Sequence, residues 1–289
     1  MNVDLRDQWL TEGSVLIRHV FDRKRTARLL LMCDAILEQW RIANPETGKP
    51  GGGPDSTVMR HLNHAGYFHA HPEWLGELMD AVADETVLEI VRTILDDEPL
   101  FRCTSYFFNP TLTSLDGNWH RDSQFVTPND EAEQEMLLSS PRAGSGVQMQ
   151  IALVPSDDVE YVPSSHRRWD TPAEYHIRKA EEGKHSRSHD MPGAVRLALE
   201  PGDAALFNPM GLHRGRYHAD RLRRTLMLTY TRASVPCYDY FSHQPWFLEP
   251  GYLDRLSPRA RPFFERFVEM YAQRWREKLA ETATASSGN

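Results

Sequence analysis

A mainly β fold with flanking helices is what this 289-residue sequence predicts. Three observations lead there: helical periodicity confined to the two ends, a middle region of short β-forming runs, and Pro, Gly and Asp standing between those runs. Short strands in succession without alternating helices favour an antiparallel sandwich or barrel over a doubly wound sheet. With no internal repeat and no linker-like stretch, the chain reads as one domain. It divides into a helical N-terminal support over about 1–99, a β core over 100–235, a C-terminal helical segment over 236–282 and a flexible tail over 283–289.

The first helix signal runs from Asp22 to Trp40, where Leu29, Leu30, Leu31, Cys33, Ala35, Ile36 and Leu37 recur among charges before the Asn44-Pro45 turn. Pro50 to Pro54 is Gly-rich and reads as a flexible loop, because it lacks the spacing of a phosphate-cradling motif. A second helical pattern occupies Pro72 to Asp97 through Leu75, Leu78, Met79, Val82, Val87, Ile90, Val91 and Leu95, with Pro72 suited to a first turn. Five β-forming runs follow: Phe101–Phe108, Val147–Val154, Ala194–Leu199, Ala204–Phe207 and Thr225–Thr231. Pro258 to Ala280 is helical again, and its Phe263, Phe264, Phe267, Met270, Tyr271 and Trp275 form a stripe suited to core packing.

Lys and Arg number 33 against 41 Asp and Glu, a net charge of −8. No basic run interrupts that balance, so general nucleic-acid binding, which needs a basic surface, is excluded. The first residues lack the apolar stretch of a secretory signal, and no apolar run approaches the roughly 20 residues of a membrane span. These features predict a cytoplasmic protein without a membrane partner. Cys33, Cys103 and Cys237 have no C-x-x-C spacing and read as reduced core thiols.

Histidine is the unusual count, at 13, and it directs the search for chemistry. In Trp119-His120-Arg121-Asp122, His and Asp two apart on an extended segment project from one face and can grip a cation, while Arg121 points the other way. His213 follows Pro201-Gly202-Asp203-Ala204-Ala205-Leu206-Phe207, a turn feeding a strand, and stands near that strand's end. In Arg223-Arg224, leading into an apolar strand, only one guanidinium faces inward, and inside a barrel it needs an anion. Two imidazoles and a carboxylate on one side of a divalent ion form the facial triad of non-haem Fe(II) oxygenases. Arg224 would then pair with the distant carboxylate of a 2-oxoglutarate cosubstrate.

The sequence resembles the phytanoyl-CoA hydroxylase-like family of Fe(II)/2-oxoglutarate-dependent dioxygenases. Four segments match in order: the H-x-D segment, Val162-Pro163-Ser164-Ser165-His166-Arg167, Pro201 to Phe207, and His213 followed eleven residues later by Arg224. The resemblance implies a double-stranded β-helix, or jelly roll of cupin type, with iron in its mouth. It implies His120, Asp122 and His213 as catalytic metal ligands and Arg224 as the 2-oxoglutarate anchor, with Arg223 the neighbouring choice if the register differs by one. Fe(II), 2-oxoglutarate and O2 are the expected cofactor and cosubstrates, with ascorbate as an accessory reductant and succinate and CO2 as co-products. Retention of Asp122, where halogenating relatives have Gly or Ala, favours oxygenation. Gly215 replaces the small hydroxyl residue many relatives carry two positions after the distal histidine, and Ser165 stands where a Gly is usual.

Proximity in sequence nominates Trp119, Gln124, Phe125, Arg167, Arg168, Trp169, Arg214, Arg216 and Tyr217 as pocket residues for a small polar or anionic substrate. In Val147-Gln148-Met149-Gln150-Ile151 the amides share one face, either lining the barrel, with Gln148 beside the cosubstrate, or facing solvent. Thr127 to Gly146 is either a mobile lid or a surface excursion. His61, His64, His69 and His71 lack a zinc-type spacing and read as polar surface or pocket wall. The same ligands would also serve a metal-dependent hydrolase or a non-catalytic metal-binding module. An inward arginine discriminates, because a hydrolase has no need to hold a dicarboxylic cosubstrate.

Overall fold

The computed structural model describes residues 2–47 and 51–287. Helix α1 (Asn2–Glu12) and strand β1 (Ser14–Ile17) precede α2 (Arg23–Ala43), which starts where the Asp22 side chain accepts from the Arg25 N–H. Leu29, Met32, Cys33, Ile36, Leu37 and Trp40 form the buried face of α2. After β2 (Val58–Arg60) come α3 (Pro72–Val82) and α4 (Glu85–Leu95), the latter capped by Asp84 on Thr86 N. The single sequence pattern over Pro72–Asp97 is thus two helices, broken at Ala83-Asp84 because Asp84 offers an N-cap.

The core strands are β3 (Pro99–Phe108), β4 (Gly146–Ala152), β5 (Val159–Tyr161), β6 (Val195–Arg196), β7 (Ala204–Phe207), β8 (His213–Gly215) and β9 (Arg224–Arg232). Between them lie α5 (Asp130–Ser139), α6 (Pro172–Arg178) and the single turn α7 (Ala180–Gly183); α8 (Arg261–Ser287) ends the chain. Six strands form an antiparallel sheet in the order β1-β7-β4-β9-β3-β2, and three form a second, β6-β5-β8. The fold is a jelly roll with flanking helices.

Alternation gives the large sheet two unlike faces. Val147, Met149, Ile151, Leu226, Leu228 and Tyr230 join one hydrophobic core with α2, α3, α4 and the aromatic stripe of α8. On the other face, Ala152, Ala205 and Phe207 meet Val159 and Tyr161 of the second sheet, which closes the roll. Strand register puts Gln148 beside Thr229 and Phe207, Gln150 beside Met227 and Ala205, Ser105 beside Met227, and Arg60 beside Ser105. These polar side chains therefore share the inner face.

Three local readings change. Residues 51–53 are buried rather than open: Gly52 N and Gly53 N donate to Asn44 O and Glu46 O, and a Cβ on Gly53 would approach Glu46 O to 2.7 Å; Pro50 lies outside the described residues. Helix α8 continues through Ser287, into the stretch read as a tail, while 288 and 289 are not described. The segment read as lid or excursion contains α5, held by the fully buried Glu133. No helix among the described residues is long and apolar enough to cross a membrane.

Candidate metal centre

His120 lies in an extended segment bridged to β8, Asp122 opens a 3-10 turn two residues later, and His213 begins β8. Backbone bonds from His120 N to His213 O (3.1 Å) and from His213 N to His120 O (3.0 Å) put both rings on one side of the ladder, with centres 4.2 Å apart. Asp122 N donates to Pro209 O at 2.9 Å, which turns its carboxylate toward the same place.

The tautomers follow from the partners. His120 Nδ1 is 2.7 Å from Asn118 O, and His213 Nδ1 is 2.9 Å from Gly211 O. A carbonyl only accepts, so each Nδ1 donates and each Nε2 presents a lone pair. Both Nε2 atoms lie 3.7 Å from the same oxygen, Asp122 Oδ1. That separation is too long for hydrogen bonds and suits a cation with donor bonds near 2.1 Å. Burial, and then the neighbouring His120, pushes His213 down to about 4, so its ring is neutral and ligand-ready at neutral pH. His176, Glu181 and His185 also cluster, but at the exposed α6–α7 corner, where Lys184 already approaches Glu181.

The surrounding groups hold this geometry. Gln148 Nε2 donates to Asp122 Oδ2 at 2.7 Å, which leaves Oδ1 to face the rings. Arg121 points away from the triad, as its place between the ligands predicts, and is wholly buried. It donates to Asp170 (2.7 Å), Ser165 O (2.7 Å) and Met210 O (2.6 Å), so one guanidinium joins both ligand-bearing segments. Arg178 bridges Asp170 to Glu133, and Glu133 accepts from Ser123 at 2.9 Å. Sequence reading missed Asp170, Arg178 and Glu133 because their partners lie far along the chain and no local motif marks them.

The arginine pair separates as expected, but the other way round. Arg224 turns outward to Asp34 of α2 at 2.5 Å. Arg223 turns inward and is wholly buried, with its Nη2 3.5 Å from Gln150 Oε1 and its Nη1 donating to Arg216 O at 3.0 Å. The expectation for Arg224 is corrected: Tyr230, Leu228 and Leu226 belong to the helix-side core, and even steps along β9 carry Arg224 to that same side. Arg223 Nε is buried with no hydrogen-bond partner, and its nearest carboxylate, Asp158, is 3.8 Å away.

Most pocket nominees are used elsewhere. Trp119 is buried with Val162, Ile177, Met191 and Leu212 beneath Arg214, so it is structural. Arg214 binds Glu160, Arg216 binds Asp116 and Arg168 binds Glu174, while Arg167 is exposed. Gln124 accepts from Arg178, and Trp169 lies under the same guanidinium. Phe125 does stand at the centre, its ring 5.5 Å from that of His120 and 67% exposed. His61 and His64 pack on Trp246, and His71 stacks on Trp74, which makes them wall rather than ligands. Ser165 serves the turn, accepting from Leu212 N and donating to Val162 O.

A search of curated proteins finds no match to the sequence. The phytanoyl-CoA dioxygenase (PhyH) family matches residues 9–225. The chain belongs to the phytanoyl-CoA dioxygenase family. Solved structures agree on the fold. EctD from S. alaskensis with bound Fe is 18% identical with a TM-score of 0.59, covering 86% of this chain and 83% of that one. The non-haem α-ketoglutarate-dependent carbocyclase SnoK from nogalamycin biosynthesis is 18% identical with a TM-score of 0.57, covering 88% and 90%. The epimerase SnoN from the same biosynthesis is 16% identical with a TM-score of 0.53, covering 80% and 81%.

As a member of the PhyH family, the chain is a non-haem iron, 2-oxoglutarate-dependent dioxygenase-type enzyme. One departure from the family pattern has a structural counterpart. A Cβ at Gly215 would stand 2.7 Å from the Tyr217 hydroxyl, so Tyr217 fills the space of the missing side chain, and its ring lies 4.9 Å from the Arg223 guanidinium.

Proposed function

We propose that the protein is an Fe(II)- and 2-oxoglutarate-dependent oxygenase that hydroxylates a small molecule, with His120, Asp122 and His213 as metal ligands and Arg223 as the cosubstrate anchor. One observation carries this reading: β4 serves both halves of such a site. Gln148 touches the ligand Asp122, and Gln150, two residues on, approaches Arg223, whose Nε has no hydrogen-bond partner. Two strand residues span about 7 Å, a separation suited to a diacid bound by the metal at one end and the guanidinium at the other. A metal hydrolase would have no use for that second cation.

Each residue then has a task. The two Nδ1–H···O=C bonds hold the rings in the ligating tautomer, and Gln148 orients Asp122. Arg223 offers its free Nε–H to the far carboxylate of 2-oxoglutarate, and the Tyr217 hydroxyl takes the place of the hydroxyl absent at 215. When bound, Fe(II) with 2-oxoglutarate and O2 supplies the oxidising chemistry, with succinate and CO2 as co-products. Anaerobic addition of Fe(II) and 2-oxoglutarate should produce a visible charge-transfer band that His120→Ala abolishes. Folded wild-type protein without this band would refute the reading.

A further inference from the structure

The inner face carries a second cation that the proposed chemistry does not use. Arg60, half-buried on β2, lies over two phenyl rings, with its guanidinium 5.3 Å from the Phe107 ring centre and 5.1 Å from that of Phe241. Each ring has another guanidinium: Arg223 at 5.2 Å on Phe107 and Arg102 at 4.9 Å on Phe241. Three cations and two rings thus alternate along the inner face, from the cosubstrate end toward residues 239–241. Their charges are met differently. Arg102 is paired with Asp239, and Arg223 is assigned the cosubstrate. Arg60 donates to Ser105 Oγ at 3.0 Å, a neutral acceptor, and among the described residues no carboxylate lies within 4.0 Å of it.

A guanidinium set over two rings loses part of its water there and keeps N–H donors for a further acceptor. Such a group is stabilised by an oxyanion that accepts in its plane. The four arginines whose nearness to the ligands suggested an anionic substrate do not provide this, because three are paired and Arg167 is exposed. Resting on the oxygenase reading, we infer that Arg60 binds an oxyanion, a carboxylate or a phosphate, on the primary substrate. Phe107 and Phe241 flank the substrate's apolar body next to that group. Phe125 beside His120 and Tyr240 beside Phe241, 67% and 61% exposed, supply further aromatic surface.

The test uses three probes of one shape, phenylacetate, phenyl phosphate and the neutral phenylacetamide, titrated by calorimetry into anaerobic protein loaded with Fe(II) and 2-oxoglutarate. At least one anion should bind tenfold or more tighter than the amide, and the stronger of the two identifies the oxyanion. Arg60→Gln should erase the preference and Arg60→Lys should keep part of it, which separates lost charge from lost folding. The 2-oxoglutarate affinity, read from the charge-transfer band, should respond to Arg223→Gln and not to Arg60→Gln. No anion preference in the wild type, or one that survives Arg60→Gln, overturns the inference. Loss of the band in the wild type would instead overturn the oxygenase reading.

Discussion

The two faces of the six-stranded sheet obey opposite rules. On the helix side, Val147, Met149, Ile151, Leu226, Leu228 and Tyr230 are buried to within 0% exposure and make contacts that any well-packed core requires. On the inner side, the residues between them in sequence are Gln148, Gln150, Met227 and Thr229, and Arg223 and Thr225 begin the β9 row. The polypeptide that builds the core therefore also builds the site, one residue out of step. Stability and chemistry can be perturbed separately on the same strand.

The sharpest way to break this comparison is to remove a ligand. Asp122→Ala should weaken Fe(II) binding by more than the about 10- to 100-fold typical of losing an outer-shell partner, with succinate release falling to background and the melting temperature of the metal-free protein little changed. Leu228→Ala should do the reverse. Its wholly buried side chain predicts a loss of about 2–5 kcal/mol from the cavity and lost transfer energy. The charge-transfer band should persist below the lowered Tm. If Asp122→Ala unfolded the protein or Leu228→Ala erased the band, the two faces would not be separable.

Adjacent arginines sharpen the contrast next. Charge-assisted hydrogen bonds contribute about 1.5–3 kcal/mol, so Arg223→Gln should weaken 2-oxoglutarate binding by about 10- to 150-fold in a titration of the band. Arg224→Gln breaks a pair whose side chains are 17% and 41% exposed. It should cost less than about 1 kcal/mol of stability and leave 2-oxoglutarate affinity unchanged. Equal effects of the two substitutions would contradict the assignment.

This pair also shows what the sequence could reveal. His120, Asp122 and His213 were legible because a two-residue spacing on an extended segment and a histidine at a strand end are local signals. The rule that only one of two neighbouring arginines enters the barrel was legible too. Which one enters was not, because counting eleven residues from His213 runs through an irregular loop, and only the pairing of β9 with β3 and β4 sets the parity. The helices and most strands followed from periodicity, whereas the break at Asp84 and the extent of α8 depended on a cap and on tertiary packing. Asp170, Arg178 and Glu133 left no trace, since a buried charge network is assembled from distant segments. Arg214 misled for a related reason: next to a ligand in sequence means opposite to it on a strand.

A smaller effect is expected at Gln148, which holds Asp122 without touching the metal position. Gln148→Ala should reduce Fe(II) affinity by about tenfold, measured by metal titration, with folding preserved. Gln150→Ala should spare Fe(II) affinity and affect 2-oxoglutarate through Arg223. A Gln148→Ala protein with wild-type metal affinity would show that Asp122 is oriented by its backbone bond to Pro209 alone.

A histidine outside the inner face acts on stability rather than on chemistry. His166 packs against Gly13, and its Nδ1 is buried without a hydrogen-bond partner. Burial, and then the adjacent Arg167, pushes it down to about 4. A depressed histidine disfavours the charged form in the fold. Above pH 6.5, its ordinary value, folded and unfolded chains are both neutral there and it adds no pH dependence. Between about 6.5 and 4 the unfolded chain takes up a proton that the folded chain refuses, so stability falls with falling pH. His166→Leu should therefore lose less Tm than the wild type between pH 7 and pH 5, a window above the range of ordinary carboxylates. Parallel Tm curves for the two proteins would mean that His166 charges without resistance in the folded state.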